Sequence, residues 1–108
     1  MNKEDLKKRL KEYALRIIKL VNALPQTVAG RTVGGQLIRS GTSVAANYRA
    51  ALRARSKNEF ISKLGIVIEE ADESAFWLEM IIDGKILKQE TIEPLLRESN
   101  EILAIMIA

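Results

Sequence analysis

The sequence contains neither cysteine nor histidine. Without cysteine the chain can form no disulfide bond and no thiolate metal site. Without histidine it lacks the commonest general base and the commonest metal ligand of proteins. Two prolines and six glycines also leave too few turn residues for an all-β fold. These absences predict a helical protein that is not an enzyme and that uses no metal or other cofactor.

The remaining composition is typical of one globular domain. A chain of 108 residues fits a single domain, which we assign to residues 1–108. Aromatic residues make up only 5% of it, so the core has to be built from Leu, Ile, Val and Ala, as in packed helices. No stretch approaches the roughly 18 consecutive apolar residues of a membrane span, and the charged residues 1–11 do not resemble a signal peptide. We therefore expect a cytoplasmic protein with no membrane association.

Apolar residues recur every three or four positions in four segments, and this spacing predicts four helices. The predicted segments are residues 6–24, 27–54, 56–82 and 90–106, with the second starting at 27 or 31 and the fourth at 90 or 91. Pro25 ends the first segment, residues 56–59 form a capping-box pattern, and Gly84 follows the third segment. Short connections favour antiparallel neighbours. The predicted fold class is thus all-α, an up-down-up-down four-helix bundle.

The third segment has more large apolar residues than one core-facing stripe requires. Its predicted core stripe is Phe60, Ile61, Leu64, Val67, Ile68, Ala71, Ala75, Leu78 and Ile82. Four further residues fall outside this stripe: Ile66, Phe76, Trp77 and Met80. Trp and Met are enriched at protein interfaces, so we predict that these four form the contacts of a homo-oligomer. The alternative is that the third helix is simply the most buried helix of the bundle.

The net charge of +3 conceals a strongly uneven distribution. Residues 26–58 carry six basic and no acidic residues, whereas residues 59–84 carry seven acidic residues and one basic residue. The basic set is Arg31, Arg39, Arg49, Arg53, Arg55 and Lys57. One interpretation is that these residues bind nucleic-acid phosphates. The other is that they pair with carboxylates of the third helix, or of a neighbouring subunit, at residues 69, 70 and 73.

Positions within the second helix refine these two interpretations. Arg39 is expected to be the structural arginine, because it lies inside the sequence motif of residues 35–47. Arg49, Arg53 and Arg55 lie toward its end and are expected to be free. Lysines of the first helix would widen the basic surface if that helix lies beside the second. Five other polar residues are assigned structural roles: Tyr13 and Tyr48 in the core, and Ser40, Ser43 and Asn47 in hydrogen bonds between helices.

Residues 35–47, which read GQLIRSGTSVAAN, resemble the signature of the 23S rRNA intervening-sequence proteins. Residues 53–64 and the EEADE run at 69–73 continue the resemblance. It implies a left-handed four-helix bundle, often assembled as a homopentamer. A related branch serves as the accessory protein of diversity-generating retroelements, where it binds nucleic acid and a reverse transcriptase. Many members follow the asparagine with Ala-Glu-Gly, whereas Asn47 is followed here by Tyr48, Arg49 and Ala50.

The predicted function combines this resemblance with the charge pattern. We expect a non-enzymatic nucleic-acid-binding protein, with RNA favoured over DNA, acting as an oligomeric accessory protein through phosphate contacts of its basic second helix. The alternative is a protein-interaction adaptor that has no nucleic-acid role and docks on a protein partner through the apolar residues outside the core.

Overall fold

The computed structural model describes all 108 residues, of which 84% are helical and none lies in a strand. The four helices are α1 (Lys3–Asn22), α2 (Val28–Leu52), α3 (Lys57–Asp83) and α4 (Gln89–Ile107). Each helix packs on the next one in the chain, and α4 returns to contact α1. The predicted all-α four-helix bundle is confirmed, and the predicted ends of the helices differ from the observed ends by only a few residues.

Side-chain caps explain where three of the helices begin. The Asn2 side chain accepts a hydrogen bond from the Asp5 amide at 2.8 Å, and the Thr27 hydroxyl accepts one from the Gly30 amide at 3.0 Å. The Ser56 hydroxyl accepts one from the Glu59 amide at 3.1 Å, as the capping-box pattern predicts. Each bond satisfies a backbone donor that has no partner within its helix.

The end of α3 differs from the prediction in one respect. The Ile86 amide donates to the Ile81 carbonyl at 2.9 Å and the Lys85 amide donates to the Ile82 carbonyl at 3.0 Å, which together form a Schellman motif. The left-handed residue of this motif is Lys85, with a φ of 55°, whereas Gly84 keeps a right-handed conformation. A side chain in the left-handed region costs roughly 1 kcal/mol, so the motif tolerates strain at Lys85.

The core is aliphatic, as the composition predicts, but its α3 stripe is rotated slightly from the predicted one. Val67, Ala71 and Leu78 are fully buried, in agreement with the prediction. Ile61 belongs to the predicted core stripe but is 54% exposed, and Ile81 lies outside that stripe but is fully buried. At about 100° per residue, Ile61 lies about 120° around the helix from Val67, while Ile81 lies within about 40° of it.

One polar residue from each helix joins a buried hydroxyl cluster at the centre of the bundle. The Tyr13 hydroxyl of α1 lies 2.5 Å from the Ser99 hydroxyl of α4, and the Ser40 hydroxyl of α2 lies 2.9 Å from the Ser74 hydroxyl of α3. Burial raises the pKa of Tyr13, and its hydrogen bonds with Ser99 and Ser74 oppose that rise. No buried side-chain polar atom lacks a partner, so the cluster meets the requirement that buried polar groups be hydrogen-bonded.

The burial and hydrogen bonds of these polar residues confirm two structural assignments from the sequence and correct a third. Tyr13 lies in the core and Ser40 bonds across to another helix, as predicted. Ser43 and Asn47, however, bond to each other within α2, where the Asn47 amide donates to the Ser43 carbonyl at 2.9 Å and to its hydroxyl at 2.8 Å. An asparagine four residues after a serine can reach it along the helix surface, so the hydrogen bonds of this pair stay within α2 and do not join two helices.

Candidate nucleic-acid interface

The basic residues of α2 divide into three groups with different surroundings. Arg31 lies at the start of the helix, where its Nη1 donates to the Gln26 carbonyl at 2.6 Å. It precedes Arg49 by 18 residues, which is about 27 Å along a helix. Arg31 therefore lies at the opposite end of the bundle from Arg49 and Arg53, and one compact ligand site cannot include all three.

Arg39 is held by carboxylates of α3. Its Nη1 donates to Glu70 Oε2 at 3.0 Å and its Nη2 donates to Glu73 Oε2. The Trp77 indole also donates to Glu73 Oε2, at 3.1 Å. The hydrogen bond from Arg39, followed by that from Trp77, lowers the pKa of Glu73 below its ordinary value. The expectation that Arg39 is the structural arginine agrees with this geometry.

Arg49 and Arg53 lie at the other end of α2, on a ridge between two depressions. One depression has a volume of about 480 Å³, lies between α2 and α3, and adds Arg55 and Lys63 to its lining. The other has a volume of about 420 Å³, lies between α1 and α2, and is lined on the α1 side by lysines. Both depressions share the two arginines and the small side chain of Ala46.

We call the cationic groups that line these depressions the basic surface: Lys7, Lys11, Arg49, Arg53, Arg55 and Lys63. The only acidic residue in either lining is Glu59. All ion pairs of the protein involve Arg9 or Arg39, so no member of the basic surface is paired with a carboxylate. The Glu59 carboxylate accepts a hydrogen bond from the Arg55 backbone amide at 3.4 Å. Three helices and one connection thus bring together six cations and a single carboxylate.

Sequence reasoning named only half of the basic surface as site residues. Arg49, Arg53 and Arg55 were predicted, and the lysines of α1 were expected to widen the surface. Lys63 was missed, because it follows the start of an acidic helix. The antiparallel arrangement was the signal that could have found it: the end of α2 faces the start of α3, so a lysine two turns into α3 lies beside the last arginines of α2. Lys57 is exposed but lines neither depression.

The predicted oligomer contacts lie on the outer side of α3. Phe76 is 50% exposed and Met80 is 40% exposed, while Ile66 and Trp77 are half-buried. Trp77 also packs against the core, and its ring lies edge-on to that of Phe76 with 5.0 Å between centroids. The exposed part of this set is therefore Phe76 and Met80, one helical turn apart. The role of Phe76 and Met80 in self-association stays a prediction.

Neither a group of metal-binding side chains nor a membrane-spanning helix is found in the structure. No three acidic side chains lie together in a geometry that could hold a metal ion. None of the four helices combines the length and the apolar character needed to cross a bilayer.

Comparison with known proteins gives matches that extend over almost the whole chain. Residues 2–108 match the family model described as 23S rRNA-intervening sequence protein. The fold is similar to the crystal structure of a protein with unknown function from the S23 ribosomal protein family of Bacteroides thetaiotaomicron, with a TM-score of 0.88 and 35% sequence identity. That alignment covers 99% of this chain and 96% of the other. No curated protein matches the chain.

Proposed function

Since the chain belongs to the family of 23S rRNA-intervening sequence proteins and the similar solved protein has no known function, we propose a function from the basic surface. The protein acts as a non-enzymatic binder of nucleic-acid phosphates, with RNA as the expected ligand. The observation that carries the proposal is the convergence of six unpaired cations from α1, α2, α3 and the connection between α2 and α3.

The chemistry of these side chains suits phosphate. The planar guanidinium groups of Arg49, Arg53 and Arg55 can each donate two parallel hydrogen bonds to phosphate oxygens. Lysines add point charges around them. Contacts of this kind position a nucleic acid without reading its sequence, and they release counterions, so affinity falls as salt is added. The floor of the surface is formed by small residues such as Ala46 and Ala50, which let a phosphate backbone approach closely.

Association would strengthen binding at such a surface. We propose that the protein is a homo-oligomer, with a pentamer as the expected state, whose contacts include Phe76 and Met80. Each subunit then repeats one weak phosphate site, and the second and later contacts of a long ligand become intramolecular. An accessory role follows naturally, since such an assembly binds nucleic acid tightly yet performs no chemistry on it.

Replacing Arg49 and Arg53 together by alanine is expected to weaken RNA binding by about tenfold or more at low salt, because two phosphate contacts are lost. Fluorescence anisotropy with a labelled structured RNA, across a salt series, measures this. Each phosphate contact adds roughly 0.7 to 0.9 to the slope of log affinity against log salt, so the double variant should show a slope smaller by about 1.5.

A matched control removes the same charge elsewhere. Arg31 and Arg97 are exposed arginines outside the basic surface, and the Arg31→Ala/Arg97→Ala variant should keep most of the wild-type affinity. Equal losses in both double variants would indicate attraction by net charge alone, not a site. No binding by the wild-type protein at low salt would overturn the proposed function.

A second candidate function rests on the exposed apolar pair of α3. Phe76 and Met80 could dock a protein partner, in which case the protein is an adaptor and the arginines serve only its solubility and stability. Large apolar side chains that stay half-exposed and adjacent are typical of protein interaction sites. Binding of one protein that persists in high salt and is lost with Phe76→Ala would favour this function over the first.

The same pair provides a test of self-association. The Phe76→Ala/Met80→Ala variant should sediment as a smaller species than the wild-type protein, because both side chains are about half-exposed within one subunit and would form the contact. Its unfolding midpoint should be lower than that of the wild-type protein and should no longer rise with protein concentration, since subunit association stabilises the folded state by mass action. Analytical ultracentrifugation at several concentrations measures the first effect and thermal unfolding measures the second. The control is Leu15→Ala, since Leu15 is 56% exposed on another helix. If the double variant keeps the wild-type mass, these residues are not the oligomer contact.

A further inference from the structure

The basic surface contains no aromatic side chain. Tyr48, the nearest aromatic residue on α2, is only 5% exposed. Phe60 at the start of α3 is half-buried, with the Lys3 ammonium group 5.7 Å from the centre of its ring. Phe76 follows Lys63 by 13 residues, which is about 20 Å along the helix. Proteins that bind single strands stack the bases on exposed aromatic rings, and this surface offers no ring for stacking.

The surface also lacks neutral polar side chains that could read base edges. Its lining consists of six cations, Glu59 and the alanines at 45, 46 and 50. Neither depression is lined by asparagine, glutamine, serine or threonine, the neutral side chains that form hydrogen bonds with base edges. The lining is thus dominated by cations, which suit phosphates, so the arrangement of the cations decides which nucleic acid fits.

That arrangement is two-sided. The ridge of Arg49 and Arg53 separates the two depressions, and each depression has at least one lysine of its own on its far side. Lys7 and Lys11 belong to α1, while Lys63 belongs to α3. Packed helices lie about 8 to 10 Å apart, so the lysines of α1 and α3 extend the positive charge well to either side of the arginine ridge. A single strand has one row of phosphates and can occupy only one of the depressions at a time.

A double helix presents two rows of phosphates with a groove between them. In double-stranded RNA the minor groove is wide and shallow, and proteins bind across it mainly by shape and by contacts with phosphates and 2′-hydroxyls. An arginine ridge facing such a groove would place one depression against each strand. We propose that the basic surface selects double-stranded RNA over single strands, with the lysines of α1 contacting one strand and Lys63 contacting the other. This inference rests on the proposed function, because it specifies the ligand of the same surface.

Anisotropy titrations with two probes test it: a labelled RNA duplex of about 16 base pairs, a length that dsRNA-binding domains span, and the same labelled strand alone, with a sequence that forms no internal pairs. We expect the duplex to bind about tenfold more tightly than the strand, with a salt slope steeper by about 1 to 2 because more phosphates are engaged. Equal or tighter binding of the single strand would overturn the duplex inference and leave the proposed function intact. No binding of either probe would overturn both.

Variants of the two sides make the test sharper. Lys7→Ala/Lys11→Ala removes the two cations that line only one depression, and Arg55→Ala/Lys63→Ala removes the two that line only the other. Each should lower duplex affinity several-fold while changing single-strand affinity much less, so that the preference for the duplex shrinks. If removal of one side has no effect on duplex binding, the ligand follows a single track and the two-sided arrangement is not used. Circular dichroism of each variant checks that the bundle is still folded.

Discussion

Replacing Gly30 by alanine is expected to destabilise the bundle by about 3 kcal/mol, even though alanine is normally the better helix former. A Cβ at this position would lie 2.0 Å from the carbonyl oxygen of Pro25 and 3.2 Å from the Thr27 hydroxyl. The first of these is a backbone atom of the connection between α1 and α2, so no side-chain rotation relieves the overlap. The connection would have to move, and the cap formed by Thr27 and the Gly30 amide would be disturbed with it.

The matched control for this prediction lies five residues further along the same helix. Gly35 is exposed, and a Cβ added there would meet nothing within 4 Å. Gly35→Ala should therefore raise the free energy of unfolding by about 0.5 to 1 kcal/mol, the usual gain from replacing glycine in a helix. Urea unfolding of both variants measures the two effects. A Gly30→Ala variant as stable as the wild-type protein would contradict the close approach of Pro25 to α2.

The helices could be predicted from the sequence because their signals are local. Apolar spacing locates the four helices, and single residues such as Ser56 and Pro25 mark where they begin and end. The errors arose where the signal depends on the partner helix. Ile61 and Ile81 are equally apolar, and only the direction in which α3 packs decides which of them is buried. The left-handed Lys85 was missed because glycine is the usual residue at that position.

The candidate site was predicted only in part, for a related reason. The sequence left open whether the arginines of α2 bind phosphate or pair with α3. The register of the two antiparallel helices determines which arginines pair with α3 and which stay available for phosphate. The outcome differs between the two ends of α2. The register places Arg39 opposite Glu70 and Glu73, and it places Arg49 in a depression lined by Lys63 and a single acidic residue, Glu59. The cytoplasmic location and the pentamer are not tested by the fold and stay predictions.

The second large effect concerns the contact between α1 and α2 at Ile17 and Gly41. Ile17 is fully buried, and a Cβ at Gly41 would lie 2.8 Å from both of its γ carbons. Ile17→Ala should cost about 3 kcal/mol, because it removes buried methyl groups and leaves a cavity. Gly41→Ala should cost about 1 to 2 kcal/mol, since the overlap with Ile17 outweighs the gain in helix propensity.

The double variant shows whether the two effects share one cause. In Ile17→Ala/Gly41→Ala the new methyl group enters the space that Ile17 vacates, so the overlap disappears and part of the cavity is filled. We expect the total loss, measured by urea unfolding, to be smaller than the sum of the single losses by about 1 kcal/mol or more. The control pairs Gly41→Ala with Ile102→Ala, a core change on α4, whose backbone is not adjacent to that of α2. Those losses should add to within about 0.5 kcal/mol. Additive losses in both pairs would mean that Gly41 does not set the spacing of α1 and α2. The shape of the basic surface, which spans these helices, would then depend on other contacts between them.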